Sequence, residues 1–282
     1  MLRSSLRVLD RHDIDAALAV CDRDPVANVF VAARLRSSGI SGRNGGEFWG
    51  YALDGELRSL CWSGANLVPV EATEDALDAF ASRARRQGRL CSSLVGPAPA
   101  VLGLWNRLGP YWGPPREVRS DQPLMAIAGP PAVAPDPAVR RSTREELDLV
   151  IPACVAMFTE EVGYSPVAAD GGALYHAQVA SLVSAGRSLV RIDPGPDGPE
   201  VVFKAEFGSV TPRVVQVQGV WVAPRHRGHG YGVNGMAAVV EHVRRHLAPV
   251  VSLYVNGYNT RAVRVYETVG FERVGTFATV LF

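Results

Sequence analysis

Midway through the second half, the chain reads Val222-Ala223-Pro224-Arg225-His226-Arg227-Gly228-His229-Gly230-Tyr231-Gly232. Glycines at 228, 230 and 232 let successive backbone N–H groups turn toward one point and form an anion-binding nest. An amphipathic run follows at once, so a helix would add its positive end. Arg225 and Arg227 add two guanidinium groups able to make charge-assisted bonds. Together these suit a pyrophosphate. A dinucleotide fingerprint also places glycines between strand and helix. Against it, the preceding strand follows other strands, the arginines lie before and inside the glycines, and the next strand, VVSLYVNGYN, closes on Asn rather than on a ribose-binding acid. A purely structural tight turn is the remaining alternative.

The surrounding pattern supplies the elements that would position this loop. A capping box at Thr143 and Glu146 predicts a helix through ELDLVIPACVAMFTEEVG, with a possible kink at Pro152. A second helix is predicted over about 172–185, with Leu174, Val179, Leu182 and Val183 as its apolar face. Strands SLVRID, VVFKAEFGSV and VVQVQGVWVAP lead into the loop. Helix VNGMAAVVEHVRRHL, strand VVSLYVN, helix TRAVRVYETV and strand FERVGTFATVLF come after it. This predicts an α+β fold around one mixed, largely antiparallel sheet. The first half echoes the order as β-β-α-β-α-β, from EFWGYALD through a helix opened by Thr73 to VRSDQPLMAI. Between the halves, GPPAVAPDP at 129–137 can form neither helix nor strand. The expected division is 1–128, a linker at 129–137, and 138–282.

Composition narrows the class. The 282 residues carry a formal net charge of +1 with no basic stripe, which argues against nucleic acid as a partner. No run of roughly 18 apolar residues predicts a membrane span. Cys21, Cys61, Cys91 and Cys154 lie far apart, so neither a metal site nor a disulfide framework is expected, and reduced thiols fit a cytoplasmic protein. Cys154 reads as a small buried hydrophobe. His242 and His246 are spaced i, i+4, but no third ligand accompanies them and a solvated face is expected. Lys204 is the only lysine in the chain.

Residues from about 140 to the end resemble the GCN5-related N-acetyltransferases (GNAT). The match is carried by Val222-Ala223-Pro224, by Arg227-x-x-Gly230-x-Gly232, and by Asn259-x-x-Ala262-x-x-x-Tyr266-x-x-x-Gly270-Phe271. The whole chain is similar to an actinobacterial acetyltransferase group with an extra N-terminal domain of unknown function, through its layout and MFTEEVGYSP at 157–166. The resemblance implies tandem GNAT-like folds and a sheet that splays beside the strand ending near Val222. Acetyl-CoA is the implied co-substrate, with no metal. Pantetheine would bond backbone near Val220 and Val222, and the pyrophosphate would rest on Arg225, Arg227, Gly228, His229, Gly230, Tyr231 and Gly232, with Asn259 and Tyr266 beyond. The first half has NLVPVEATEDALDAF at the corresponding place, where Glu71, Glu74 and Asp75 would repel a pyrophosphate. That half is expected to be a degenerate copy.

Acyl transfer from a thioester to an amine needs a proton acceptor, a donor for the carbonyl oxygen and a proton donor for the thiolate. A backbone N–H near Val222 suffices for the second. Tyr266 is the expected proton donor, on one helical face with Ala262 and Val263; the alternative is a core tyrosine with a satisfied hydroxyl. Gln216 and Gln218 on the strand entering the loop cannot take the proton. Glu206, on one strand face with Lys204 and opposite Phe203, Ala205 and Phe207, is one candidate base. Glu160 and Glu161 form the other set, and surface charge is the alternative for both. The expected reaction is direct transfer to a primary amine, on a small molecule or a protein, because no cysteine sits in an acyl-enzyme motif. A non-catalytic acyl-CoA-binding regulator and an enzyme using another acyl-CoA are the rival readings.

Overall fold

The computed structural model describes residues 4–40, 45–168 and 171–282. The first half contains β1 (Ser4–Val8), α1 (Ile14–Cys21), α2 (Val29–Ser38), β2 (Glu47–Leu53), β3 (Glu56–Ser63), β4 (Asn66–Val70), α3 (Glu74–Gln87), β5 (Ser93–Pro97), α4 (Ala98–Trp112) and β6 (Glu117–Ile127). The second half contains β7 (Arg140–Arg141), α5 (Leu147–Val162), α6 (Ala173–Ser184), β8 (Ser188–Gly195), β9 (Gly198–Val210), β10 (Val214–Val222), α7 (Tyr231–His246), β11 (Val250–Tyr254), α8 (Thr260–Val269) and β12 (Glu272–Leu281). Both halves therefore run β-α-α-β-β-β-α-β-α-β. The repeat is fuller than the sequence reading, which assigned nothing before β2.

Local signals explain most boundaries. Thr73 accepts from the Ala76 N–H and caps α3. Thr143 and Glu146 form the expected capping box ahead of α5. Pro152 sits inside α5, and the helix continues through it as one element. One expected apolar contact is absent: Leu174 is 80% exposed, while Val179 and Val183 on the same helix are buried.

The chain forms two compact units, Met1–Met125 with Tyr254–Asn259 and Arg273–Phe282, and Ala126–Leu253 with Thr260–Glu272. The last strand thus belongs to the first unit, although the sequence split places it in 138–282. β12 pairs antiparallel with β5 from Phe277↔Pro97 to Leu281↔Ser93. Its Ala278 and Val280 complete a core of Trp49, Phe80, Leu94 and Leu104. Within this unit the strand order is β1-β2-β3-β4-β5-β12-β6, with β4 and β5 parallel. In the second unit the order is β11-β10-β9-β8-β7, with only β10 and β11 parallel. Residues 129–137 form neither helix nor strand, yet they are fixed within the second unit. The Ala132 N–H donates to Val269 O, the Asp136 N–H to Asn234 O, and the buried Asp136 carboxylate accepts from Arg191 at 2.7 Å.

A chain ending at Ala128 lacks β12, leaving one edge of β5 unpaired and the core short of two side chains. It is expected to show no cooperative unfolding transition by circular dichroism. In the intact chain, Val280→Ala should cost on the order of 1–3 kcal/mol in urea denaturation. Wild-type unfolding behaviour of the 1–128 fragment would contradict this assignment.

Candidate active site

Two strands that begin side by side and then part create the site. β10 and β11 pair only at Val214↔Val250, Val215↔Val251 and Gln216↔Ser252, while β10 continues to Val222. Beyond Gln216 one edge of β10 has no strand beside it in that register. The other edge stays on β9, where the Ala223 N–H donates to Val202 O. Alternation along the strand then turns the N–H groups of Val220 and Val222 to the vacated edge. The register shifts between Gln218 and Trp221, so that Gly219 and Val220 together oppose Ala205. This is a β-bulge. Gly219 sits at φ +59°, a conformation that glycine reaches without penalty.

The loop closes the mouth of the gap. Pro224–His226 make one turn of 3-10 helix, and Gly228 and Gly230 both take φ +84°. The first rung of α7 runs from the Asn234 N–H to Gly230 O. The N–H groups of Tyr231, Gly232 and Val233 therefore precede the ladder, as in any helix start. A Cβ on Gly228 would meet nothing within 4 Å, whereas one on Gly232 would lie 3.6 Å from Val222 and 3.8 Å from Val265. The nest is open on one side and packed closely onto β10 and α8 on the other.

Both loop arginines already have carboxylate partners, which the sequence reading did not foresee. Arg227 donates to Val222 O at 3.0 Å and to Glu160 at 2.6 Å. Glu160 also accepts from the Trp221 indole at 3.2 Å. Arg225 pairs with Glu200, which also holds His226 at 2.8 Å. Tyr231 packs under Arg191, whose guanidinium carbon lies 4.6 Å from the ring centroid. Arg191 is bonded to Asp193 and Asp136, which tie it above its ordinary value. Glu200, Asp136 and Arg191 carried no sequence signal, because each acts through a residue far along the chain.

Of the expected catalytic groups, Tyr266 is buried at the edge of Phe271, with ring centroids 5.9 Å apart. Its hydroxyl makes no hydrogen bond among the described residues. Burial, and to a lesser extent the charge of Glu161, push it well above the usual phenol value, so it keeps its proton at neutral pH. Glu161 lies at the end of α5 and is exposed. Glu206 and Lys204 do share a face. They ion-pair at 2.9 Å under α5, where the Cys154 thiol also donates to Glu206 at 3.1 Å. Phe203 and Phe207 face α7 on the other side. Asn259 directly precedes α8, and its N–H donates to Asn256 O. His242 is not on a solvated face as expected. It stacks on Phe207 and is pushed down to about 4 by burial and then by the nearby Arg141. Among the described residues no group of three His, Cys, Asp or Glu could hold a metal ion, and no helix is long and apolar enough to cross a membrane.

The first unit repeats the layout without the cradle. β4 and β5 pair in parallel only at Asn66↔Ser93 and Leu67↔Leu94. A Cβ on Gly96 would nevertheless meet Pro69 O at 3.6 Å, so these strands stay close beyond their last paired residues. The start of α3 is occupied by the Thr73 cap and carries Glu74 and Asp75 in its first turn.

Residues 188–271 match the model of the Acetyltransferase (GNAT) family, and residues 46–150 match a domain of unknown function, DUF4081. The chain thus carries a GNAT acetyltransferase domain behind a DUF4081 domain. Its fold is similar to that of a GCN5-related N-acetyltransferase from Sphaerobacter thermophilus, at 16% identity over 99% of this chain and 95% of that one, with a TM-score of 0.60. It is also similar to a tandem GNAT protein from the clavulanic acid biosynthesis pathway, at 14% identity over 99% and 98% of the chains and a TM-score of 0.58. A GNAT-family acetyltransferase from Colwellia psychrerythraea matches at 10% identity over 99% of both chains, with a TM-score of 0.55. These likenesses establish the shared fold. Among curated proteins no sequence matches.

All four cysteines are free and buried. Burial pushes the Cys154 thiol up to about 12, against the opposing pull of Lys204. A protonated, enclosed thiol is a poor nucleophile. Native protein is therefore expected to react with a thiol reagent such as DTNB only after unfolding, when all four thiols appear. Rapid labelling of Cys154 in the folded state, shown by peptide mapping, would reopen an acyl-enzyme route.

Proposed function

We propose that the second unit moves an acetyl group from acetyl-CoA to a primary amine, carried by a small molecule or by a protein, through direct attack in a ternary complex. The observation that carries this reading is the divergence of β10 from β11 with the glycine loop at its mouth. Bound there, acetyl-CoA supplies the activated thioester. The N–H groups of Val220 and Val222 hold its carbonyl and pantetheine arm. The loop N–H groups of Gly228 to Gly232, with Arg225 and Arg227, hold the pyrophosphate. To do so the arginines must share or leave Glu200 and Glu160. His229 belongs to the same loop.

Glu161 takes the proton from the incoming ammonium, directly or through water. The freed nitrogen attacks the carbonyl carbon, the carbon–sulfur bond breaks as Tyr266 gives its proton to the leaving sulfur, and the second proton of the amine passes to Tyr266 through water, leaving the amide and free CoA. Tyr266 suits that role because its hydroxyl is protonated and has no hydrogen-bond partner among the described residues. Glu206 is the weaker candidate for base, since its carboxylate already accepts from Lys204 and Cys154.

Incubating a cell extract with the protein and isotope-labelled acetyl-CoA, followed by mass spectrometry, identifies the acceptor. A chain that binds acetyl-CoA but labels no amine and releases no free CoA above background would instead be a regulator, and a preference for a longer or succinylated donor would change the acyl group.

Three outcomes are expected. Arg227→Ala weakens acetyl-CoA binding on the order of 10–100-fold by calorimetry, and Gly230→Glu weakens it further by putting bulk and negative charge into the nest. Tyr266→Phe lowers kcat by about 10²–10⁴ with affinity nearly intact; wild-type turnover would return it to the core. Titration gives one acetyl-CoA per chain, and two would assign a second site to the first unit.

A further inference from the structure

Lys204, the chain's single lysine, is wholly buried. Its Nζ meets the Glu206 carboxylate at 2.9 Å and Gly219 O, also at 2.9 Å, and it interacts with the Cys154 thiol as well. The bond to Gly219 O is unusual for a strand. Gly219 C=O points to the β9 edge, where a neutral backbone N–H would normally meet it. The bulge sets Gly219 and Val220 against Ala205 alone, and a side-chain ammonium bonds the carbonyl instead. Glycine suits that point because φ is +59°, and a Cβ would also press on Glu206 Oε2 at 2.9 Å and Lys204 Nζ at 3.2 Å. Bulge, glycine and ion pair are one arrangement.

In a trans peptide the C=O and N–H point in opposite directions. The peptide whose oxygen faces Lys204 is the same one whose N–H belongs to Val220 and faces the gap. A charged donor on a carbonyl oxygen draws electron density from the whole amide and makes its N–H a stronger donor. We infer that Lys204 is a positioning residue for acyl transfer, holding and polarising the Gly219–Val220 peptide so that the Val220 N–H stabilises the thioester oxygen as it gains charge. This rests on the proposed acetyl-CoA chemistry, and it assigns to a buried ion pair a role beyond satisfying itself. Glu206 keeps the ammonium in place, and Cys154 fixes the carboxylate from the α5 side.

The test uses the full chain and [1-13C]acetyl-CoA, reading the bound thioester carbonyl by isotope-edited infrared difference spectroscopy. In the wild type the band moves to lower frequency than in water. The paired variant Lys204→Met with Glu206→Gln avoids a stranded carboxylate, and it is expected to lose that displacement while binding free CoA as the wild type does. With whichever amine the chain accepts, kcat should fall by up to about 100-fold at unchanged KM for acetyl-CoA. Glu206→Gln alone leaves the ammonium on Gly219 O and keeps the displacement. This arm stands even where the paired variant fails to fold. A displacement that survives in the paired variant, or disappears in Glu206→Gln alone, overturns the inference. A wild-type chain that does not bind acetyl-CoA overturns the proposed function first, and the inference with it.

Discussion

Every N–H and C=O of a strand needs a partner, and past Gln216 the strand β10 has lost the neighbour on one of its edges. That condition organises the second unit. On the β9 edge pairing continues through two register shifts, and at the second of them Lys204 bonds Gly219 C=O. On the vacated edge, Val222 C=O is taken by the Arg227 side chain, and the N–H groups of Val220 and Val222 face the gap. A fold that kept β11 paired to the end of β10 would satisfy these groups internally and would have nowhere to admit an extended ligand. The loop, the open start of α7 and the bulge all lie where the sheet stops serving itself.

The two units differ in few residues at the place where the fourth strand of the repeat leads into a helix. Each has a pair of parallel strands with a short paired stretch, a connection, and a helix after it; the strands part in the second unit and stay close in the first. In the second unit the connection is glycine-rich and the helix start is uncapped by any side chain. In the first, Thr73 occupies the same helix start, carboxylates surround it, and Arg107 is drawn to Glu74 and Asp78. A helix N-terminus attracts anions only while its N–H groups are free and its surroundings are not already negative. The copies differ in those few residues more than in architecture.

Charge in the second unit is arranged in closed groups. Arg225 with Glu200 and His226, Arg227 with Glu160, Arg191 with Asp136 and Asp193, and Lys204 with Glu206 each set a cation against one or two carboxylates. The Arg191 group also joins the segment 129–137 to the first turn of α7, since Asp136 bonds both Arg191 and Asn234. What sequence alone presents as a spacer therefore bears on the loop's geometry. An exposed pair such as Arg227 with Glu160 contributes little to stability, so parting it costs the fold little.

Local rules made much of this legible in the residues. Spacing of glycines and arginines located the loop, an N-cap threonine located α3, a capping box located α5, and period-two alternation placed Lys204 and Glu206 on the face opposite Phe203 and Phe207. The sequence reading passed over Gly219, although an isolated glycine inside a strand pattern is a bulge signal. These features depend on neighbours a few residues apart, and such neighbours are fixed by backbone geometry. Tertiary structure alone decided the rest. β12 pairs with β5, about 180 residues upstream, and fills the first unit's core; nothing in its own alternation says which edge it joins. Glu160 and Glu200 reach the loop arginines only after the sheet has brought α5 and the β8–β9 hairpin beside them. Tyr266 reads identically as core or as chemistry until its surroundings show a buried residue whose hydroxyl has no protein partner among the described residues. Strand choice and ion pairing across long separations depend on which surfaces are left uncovered once the units fold, and that is a property of the assembled chain rather than of any segment.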